Sequence, residues 1–391
     1  MPPAPAPAPA PGADFTAEAK LLYRMVACGG DAAIDDAAMA KVVDRHCAWV
    51  RDRLAAYRAR YIDGGRAFFA SIIPAGIPTT VVYPFGGGDL ISALAAFPDA
   101  TEITTISLEL AGDPRRITSL TPKQLDDSLR RLRGELGGTL SVGSNTSVNL
   151  SASQRNELPA QVSSFLLGLA AAGYEPVGMS YVRPEVDGTL HYLTADEIAA
   201  QDASAAASRG GERGKRKGAR SRKHDWLDPN FSEAFAHVEI RYRKVGDPTA
   251  PVRVDRHFGW NLHDDELAKH PELIAHLASK GKVTALVKGA SYLLWRNDFH
   301  TIRDYLLGHL AWMLSDSTGI PPDFAKAAGM EQETYGRFSG AFLDGAEART
   351  KRHADAFRAL WKAQPKRALP FRFGYVDAGG NAHLVVTRPA S

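Results

Sequence analysis

The clearest pattern of apolar and polar positions lies in residues 79–109, TTVVYPFGGGDLISALAAFPDATEITTISLE. An apolar run enters three glycines and an aspartate, a short helical stretch follows, and Pro98-Asp99 turns into a second β-branched run. This pattern predicts a strand, a turn, a helix and a second strand, which together form one Rossmann-like β-turn-α-β unit.

Elsewhere the apolar residues recur with either a helical or an alternating period. The helical period predicts helices over 14–27, 36–61, 122–136, 158–172, 194–201, 271–280, 283–295, 299–314 and 346–364. Alternation about turn residues predicts three antiparallel hairpins, over 177–193, 236–260 and 369–387. The sequence therefore predicts an α/β fold with a mixed sheet, a helical layer at the N-terminal end and added antiparallel hairpins.

The same patterns suggest how the chain is divided. Residues 1–13 alternate Pro and Ala, a composition that favours an extended and disordered tail. We expect an α/β domain over 14–200, a disordered basic insertion over 201–225, and hairpins and helices over 226–391 that pack on the same core.

Charge is concentrated in the predicted insertion. The net charge of the chain is +3, but residues 209–223 contain eight basic residues and one acid, so the remainder is mildly acidic. Such a run can bind a polyanion, yet it lacks the aromatic residues that stack on nucleic acid bases. We expect a solvated surface segment, and polyanion binding remains the weaker alternative.

The two cysteines, Cys28 and Cys47, allow one intramolecular disulfide. Cys47 lies on the buried stripe of the second predicted helix and Cys28 ends the first, so the two thiols can meet. The alternative is a pair of buried free thiols. A disulfide would indicate an oxidising compartment.

Segments that would direct the chain to a membrane are not evident. No window of eighteen residues is apolar throughout, and the N-terminus lacks the layout of a signal peptide. Pro/Ala tails are typical of the segment that follows the cleavage point of an exported protein. We therefore expect a soluble protein, periplasmic or extracellular after removal of an export signal, with a cytoplasmic location as the alternative.

Several familiar catalytic signatures are absent from the sequence. G-x-G-x-x-G fails because Ile91 holds its last position, and no G-x-x-x-x-G-K-[ST] or H-E-x-x-H occurs. G-x-S-x-G fails because Leu293 replaces its last glycine. The histidines and cysteines show no metal-ligand spacing, so we expect no metal site.

The glycine-rich turn nevertheless predicts a ligand site. Backbone N–H groups at such a turn can approach a ligand, and an acid about 20 residues later, here Glu109, often binds ribose hydroxyls. The charge of Asp89 would repel a pyrophosphate and suits a neutral or cationic ligand such as S-adenosylmethionine. The candidate ligand-binding residues are Tyr83, Gly86, Gly87, Gly88, Asp89, Glu109 and Asp316.

A structural interpretation of the same residues stays open. Asp89 can be a helix N-cap, Glu109 an exposed strand end, and the glycines can serve helix packing. Asp316 and Asn145 are loop residues that either line a cleft or satisfy helix ends.

The predicted helix over 283–295 carries a second polar group. Lys288, Ser291, Tyr292 and Trp295 share the face opposite its apolar side. A lysine beside a serine and a tyrosine can form a proton-transfer set in a desolvated site, whereas a solvent-facing surface is the alternative.

The chain resembles a group of bacterial proteins, many of them apparently exported, to which no activity is assigned. The resemblance rests on YPFGGGD at 83–89, FPDA at 97–100, KGASYLLWRNDFHTIRDYLL from Lys288 and DSTGIP at 316–321. It implies that Asp89 and Asp316 act together and that export is normal.

Two functional hypotheses follow. One is an exported α/β protein with a small-ligand or active site at the turn over 86–89; the other is a cytoplasmic methyltransferase-like enzyme that uses S-adenosylmethionine there. The sequence leaves the substrate, the reaction and the oligomeric state open.

Overall fold

The structure is a computed structural model that describes residues 12–139, 158–212, 232–338, 348–371, 373 and 382–390. Within these ranges the chain forms one ten-stranded sheet with helices on both faces. The strands are β1 Thr80–Pro84, β2 Glu102–Ser107, β3 Tyr174–Pro184, β4 Leu190–Tyr192, β5 His237–Lys244, β6 Arg253–Gly259, β7 Val283–Val287, β8 Leu310–Ser315, β9 Met330–Gly336 and β10 His383–Pro389.

The helices are numbered here in chain order. The first six are α1 Thr16–Val26, α2 Ala37–Tyr57, α3 Asp63–Ile72, α4 Leu90–Ala96, α5 Pro122–Thr139 and α6 Ala160–Ala172. The others are α7 Ala195–Glu212, α8 Asp264–Lys269, α9 Glu272–Ala278, α10 His300–His309, α11 Pro322–Ala327 and α12 Ala348–Ala363. None of the helices in the described ranges is long and apolar enough to span a lipid bilayer.

The sheet has a parallel centre and antiparallel ends. Its order is β4-β3-β5-β6-β2-β1-β7-β8-β10-β9, in which β6, β2, β1, β7 and β8 run parallel. The strands β5, β3 and β4 extend one end by antiparallel pairing, and β10 and β9 extend the other. This arrangement confirms the predicted α/β fold with a mixed sheet.

Two separate apolar cores cover the faces of the sheet. Helices α1 to α6 pack on one face, where Leu22, Leu94 and Phe165 have no exposed surface. Helices α8 to α11 pack on the other face around Leu273 and Leu306. Because both faces are covered, the central strands β1 and β7 are mainly apolar on both sides, as parallel strands usually are.

The predicted helices over 283–295 and 299–314 are wrong in part. Residues 283–287 form strand β7, followed by a short 3-10 helix at Ala290–Trp295, and residues 310–315 form strand β8. Runs of five or six mostly buried residues fit a central strand as well as a helix, so their periodicity could not separate the two. Gly289, with φ of +69° and ψ of −101°, ends β7 in a conformation that favours glycine.

Two further expectations need correction. The predicted insertion over 201–225 begins too early, because α7 continues to Glu212 through an alanine-rich stretch of high helix propensity. The strand β10 pairs with β8 and β9, and residues 369–371 are not in a strand. The Phe373 carbonyl accepts a hydrogen bond from the His383 N–H at 3.3 Å, and the rest of the predicted partner strand lies outside the described residues. The other two predicted hairpins are confirmed as β3–β4 and β5–β6.

Some expectations lie outside the described residues. These are the Pro/Ala tail over 1–11, the loop that contains Asn145, and residues 213–231, which hold most of the basic run.

Cys28 and Cys47 form a disulfide, with a Cα–Cα distance of 5.4 Å. The bond joins the segment after α1 to the middle of α2, whose N-terminus is capped by the Asp36 carboxylate. It thereby holds together the two helices that open the first helical layer.

Candidate functional site

The order of the strands reverses between β1 and β7. From β1 the chain passes through α4 on one face to β2, whereas β7 is followed by α10 on the opposite face. In open α/β sheets a crevice forms at such a switch point, outside the carboxyl ends of the strands, and ligands bind there. The glycine-rich turn follows β1 at this crevice.

An ion pair joins the segments that follow β1 and β7 at this switch point, and the region around it is called the crevice below. Lys288, directly after β7, has its Nζ 2.8 Å from Asp89 Oδ2, and Asp89 follows β1. The Lys288 and Asp89 side chains are 26% and 12% exposed, so the pair is accessible to solvent. Lys288 Nζ also donates to Ser92 Oγ at 2.8 Å, and Ser92 Oγ donates to Asp89 Oδ1 at 2.7 Å.

Two tyrosine side chains lie next to this ion pair. Tyr83 on β1 is buried and donates from its hydroxyl to Asp89 Oδ2 at 2.8 Å. Tyr57 at the end of α2 lies beside Ser92 and Asp89. Burial is the main cause that raises the pKa of both tyrosines well above 10, and the negative charge of Asp89 is the second. Both hydroxyls therefore stay protonated at neutral pH and can donate hydrogen bonds.

Asp89 does not cap helix α4 with its side chain, which was one of the two interpretations of its role. It precedes α4 at the N-cap position, yet its side chain makes no capping hydrogen bond to the helix backbone. Its carboxylate instead binds Tyr83, Ser92 and Lys288. The negative charge is therefore balanced by the lysine rather than directed at the helix.

Asp316 lies at the end of the neighbouring strand, β8. Its side chain is fully buried, and its carboxylate accepts hydrogen bonds from the backbone N–H groups of Gly289, at 3.1 Å, and Thr318, at 2.9 Å. These contacts fix the loops after β7 and β8 relative to each other. The Asp316 charge also acts on Tyr83, which places Asp316 close to the Asp89 group.

Glu109 belongs to a different group of residues. It follows β2 on the other side of β1, and its carbonyl accepts a hydrogen bond from His257 Nε2 at 2.7 Å. His257 is buried on β6 and bonds Thr105 through Nδ1, and burial lowers its pKa to about 4. The crevice thus brings Tyr83, Asp89 and Asp316 together, with Glu109 at its β2 side.

The glycines of the turn permit close packing. A Cβ atom on Gly86 would lie 2.8 Å from the Tyr83 ring, and one on Gly88 would lie 2.8 Å from Gln161 Oε1. Both distances are too short for a real side chain. In the same turn, the backbone φ angle is 63° at Phe85 and 51° at Gly87. A positive φ at a phenylalanine is a strained conformation.

We expect Gly88→Ala to lower the free energy of unfolding by about 1–3 kcal/mol, because the new methyl group would overpack the contact with α6. The measurement is urea denaturation of the wild type and the variant. Gly134→Ala in α5 is the control: its Cβ meets nothing within 4 Å, and it should stabilise the protein by about 0.5–1 kcal/mol. Equal effects of the two substitutions would contradict the packing argument.

Comparisons with known proteins give no match, so the role of the site is inferred from its geometry. No protein-family model, curated protein or solved structure matches this chain. Among the described residues, no group of three or more His, Cys, Asp or Glu side chains could hold a metal ion.

The ion pair also limits the chemistry of the site. An ammonium that donates to a carboxylate has no free lone pair, so Lys288 in this state is neither a base nor a nucleophile. It has three N–H donors, of which Asp89 and Ser92 occupy two within the described residues. The third can donate to an acceptor on a ligand, and the Phe373 ring lies 5.7 Å from the same nitrogen.

Sequence reasoning missed two features of the site. Lys288 was expected on a helix face with Ser291 and Tyr292, whereas the strand end carries it to Asp89. Gln161 was not singled out, although a glutamine inside the apolar stretch 158–172 was a signal of a buried polar group.

Proposed function

We propose that the protein binds a small polar ligand in the crevice between the carboxyl ends of β1 and β7, with Lys288 as its main polar contact. The single observation that carries this proposal is the solvent-accessible Asp89–Lys288 pair at the point where the strand order reverses. The ligand offers a hydrogen-bond acceptor to the third N–H of Lys288.

The surroundings of the pair support this role. Tyr83, Ser92 and Asp89 fix the lysine head group, and Asp316 fixes the adjacent loops. A binding group held in this way loses little conformational entropy when the ligand arrives, which favours affinity. The strained backbone at Phe85 lies in the same turn, and strain of this kind concentrates at ligand sites.

The test is a thermal-shift screen of small polar metabolites, followed by calorimetry of each hit on the double variant Asp89→Asn/Lys288→Met. Replacing both partners avoids leaving a buried unpaired charge. We expect the affinity of a genuine ligand to fall by about 10- to 100-fold, the loss of one charged hydrogen bond.

The matched control neutralises a remote pair, Glu266→Gln/Lys269→Met in α8, where the two charges are 2.8 Å apart on the surface. This variant should bind every hit like the wild type. If all hits bound the Asp89–Lys288 variant with unchanged affinity, the proposed site would be wrong.

A second candidate function is an S-adenosylmethionine-dependent methyltransferase. The observation that favours it is the order β6-β2-β1-β7-β8-β10-β9, with β10 antiparallel to both neighbours. Numbered in chain order, these seven strands have the order 3-2-1-4-5-7-6, which is the arrangement of Rossmann-like methyltransferases. Glu109 follows the second of these strands, where an acid can bind ribose hydroxyls.

Fold alone does not establish the activity, and two residues argue against it. Pro84, which cannot bind a ligand through its side chain, ends β1, and Ile91 stands at the last glycine position of G-x-G-x-x-G. Calorimetry with S-adenosylhomocysteine tests this candidate: binding by the wild type that Glu109→Ala weakens would support it, and absence of binding would exclude it.

We further propose that the protein is exported. The Cys28–Cys47 disulfide supports this location, because structural disulfides persist mainly in oxidising compartments. S-adenosylmethionine is a cytoplasmic cofactor, so export would favour the first candidate over the second.

A further inference from the structure

Gln161 in the first turn of α6 is a fully buried polar side chain with no hydrogen-bond partner among the residues that the structure describes. Its exposed fraction is 0%, and neither Oε1 nor Nε2 bonds to any of those residues. A buried amide without partners is unfavourable, because each polar atom loses its hydrogen bonds to water. Groups of this kind in a native structure are few and call for an explanation.

The position of Gln161 supplies that explanation. Gly88 lacks the side chain that would collide with Gln161 Oε1, so the amide lies against the glycine-rich turn that follows β1. The N–H of Val162 donates to the carbonyl of Ala111 at 3.2 Å, which joins the same helical turn to the loop after β2. Gln161 therefore lies between the loops after β1 and β2, beside the Asp89 turn.

We propose that Gln161 is a specificity-determining residue of the ligand site and that it pairs with a planar group presenting a donor next to an acceptor. This inference rests on the ligand site proposed above. It adds the chemical class of the ligand: an amide-type edge, such as that of an adenine nucleoside or of a carboxamide.

The amide of Gln161 determines which ligand group can pair with it. A glutamine amide offers an NH2 donor and a carbonyl acceptor in one plane, and it is satisfied by a group with the reverse order, such as the N6 and N7 atoms of adenine. A carboxylate or phosphate group would provide acceptors only, so Oε1 would remain unpaired. The buried surroundings of Gln161 make that loss unfavourable.

The test compares Gln161→Leu with the wild type in two measurements. Without ligand, we expect Gln161→Leu to raise the thermal midpoint by about 1–3 °C, because leucine removes an unpaired buried amide. Gln332→Leu is the matched control. The Gln332 Nε2 donates to the Ile320 carbonyl and to Thr387 Oγ1, so its loss should lower the midpoint.

The second measurement is calorimetry with adenosine and with nicotinamide. It distinguishes an adenine nucleoside from a simple carboxamide as the ligand that presents the amide-type edge. The negative control for adenosine is purine riboside, which lacks the exocyclic amine. The negative control for nicotinamide is nicotinic acid, whose carboxylate has no N–H donor. We expect one of the two amide-type probes to bind the wild type, and Gln161→Leu to weaken it by about 10- to 100-fold.

Three results would overturn the inference: a lower midpoint in Gln161→Leu, unchanged binding in that variant, or no binding of adenosine and nicotinamide to the wild type. Failure of this inference can be distinguished from failure of the proposed function. A ligand from the screen that requires Lys288 but not Gln161 would leave the crevice site standing and remove only the role of Gln161.

Discussion

Asp255→Asn is expected to raise the free energy of unfolding at pH 8 by about 1–3 kcal/mol. Asp255 lies in the middle of β6 and has no exposed surface, and neither carboxyl oxygen makes a hydrogen bond within the described part of the chain. Burial raises its pKa well above the ordinary value, and the nearby Arg256 offsets this only in part. Asparagine has the same shape and carries no charge at any pH.

The sign of the pH dependence follows from that raised pKa. The folded state holds the proton more tightly than the unfolded state, so the stabilisation is complete below about pH 4, the ordinary range of an aspartate. It is lost as the pH rises towards the folded-state pKa, by up to about 1.4 kcal/mol per pH unit. The advantage of Asp255→Asn over the wild type should therefore be small at pH 4 and grow towards pH 8.

Urea denaturation of the wild type and of Asp255→Asn from pH 4 to pH 8 measures the difference between their free energies of unfolding. The contributions of the other titrating groups are the same in both proteins and cancel in that difference. Asp265→Asn is the control: this side chain is 83% exposed, and its replacement should change stability by less than about 0.5 kcal/mol. A difference between wild type and Asp255→Asn that does not vary with pH would disprove the buried neutral carboxyl.

Cys28→Ser is expected to lower the free energy of unfolding by about 3 kcal/mol. The disulfide closes a loop between residues 19 positions apart, and its loss gives the unfolded chain more conformational freedom. Cys28 is half-buried whereas Cys47 is in the core, so the change at Cys28 disturbs the packing least. Thermal and urea unfolding with and without dithiothreitol measure the effect.

The reductant provides the internal control for this prediction. It should destabilise the wild type to about the level of Cys28→Ser and leave the variant unchanged. Two reactive thiols in the unfolded, unreduced protein would show that the bond does not form, and would remove the main support for export.

The first β-turn-α-β unit was predictable because its signals are local. Three glycines, Pro98 and two β-branched runs of ordinary strand length mark each boundary of β1, α4 and β2 within a short stretch. The cap and first-turn residues of α5, Thr121 and Gln124, likewise form the expected reciprocal hydrogen bonds.

The strands β7 and β8 were not predictable in this way. The sequences of 283–287 and 310–315 are mainly apolar, with Thr284 and Ser315 as their polar residues, and each is preceded or followed by a helical segment that shares its period. Whether such a run is a strand depends on neighbours that come from distant parts of the chain, here β1 for β7 and β7 for β8.

This dependence explains why the site was found only in part. Asp89 was selected from its own turn, but its pairing with Lys288 depends on β7 lying next to β1. The role of Asp316 in fixing Gly289 depends on β8 lying next to β7. Residues at the ends of adjacent parallel strands are close in space, and the sequence alone does not state which strands are adjacent.

The disulfide and the Asp89–Lys288 pair are both in contact with one helix, α2. Helix α2 contains Cys47 and, ten residues later, Tyr57, which lies beside Ser92 and Asp89. Ten residues of helix span about 15 Å, so the covalent anchor and the tyrosine that borders the crevice cannot move independently while α2 stays intact. Reduction of Cys28–Cys47 would therefore release one anchor of the helix that carries Tyr57.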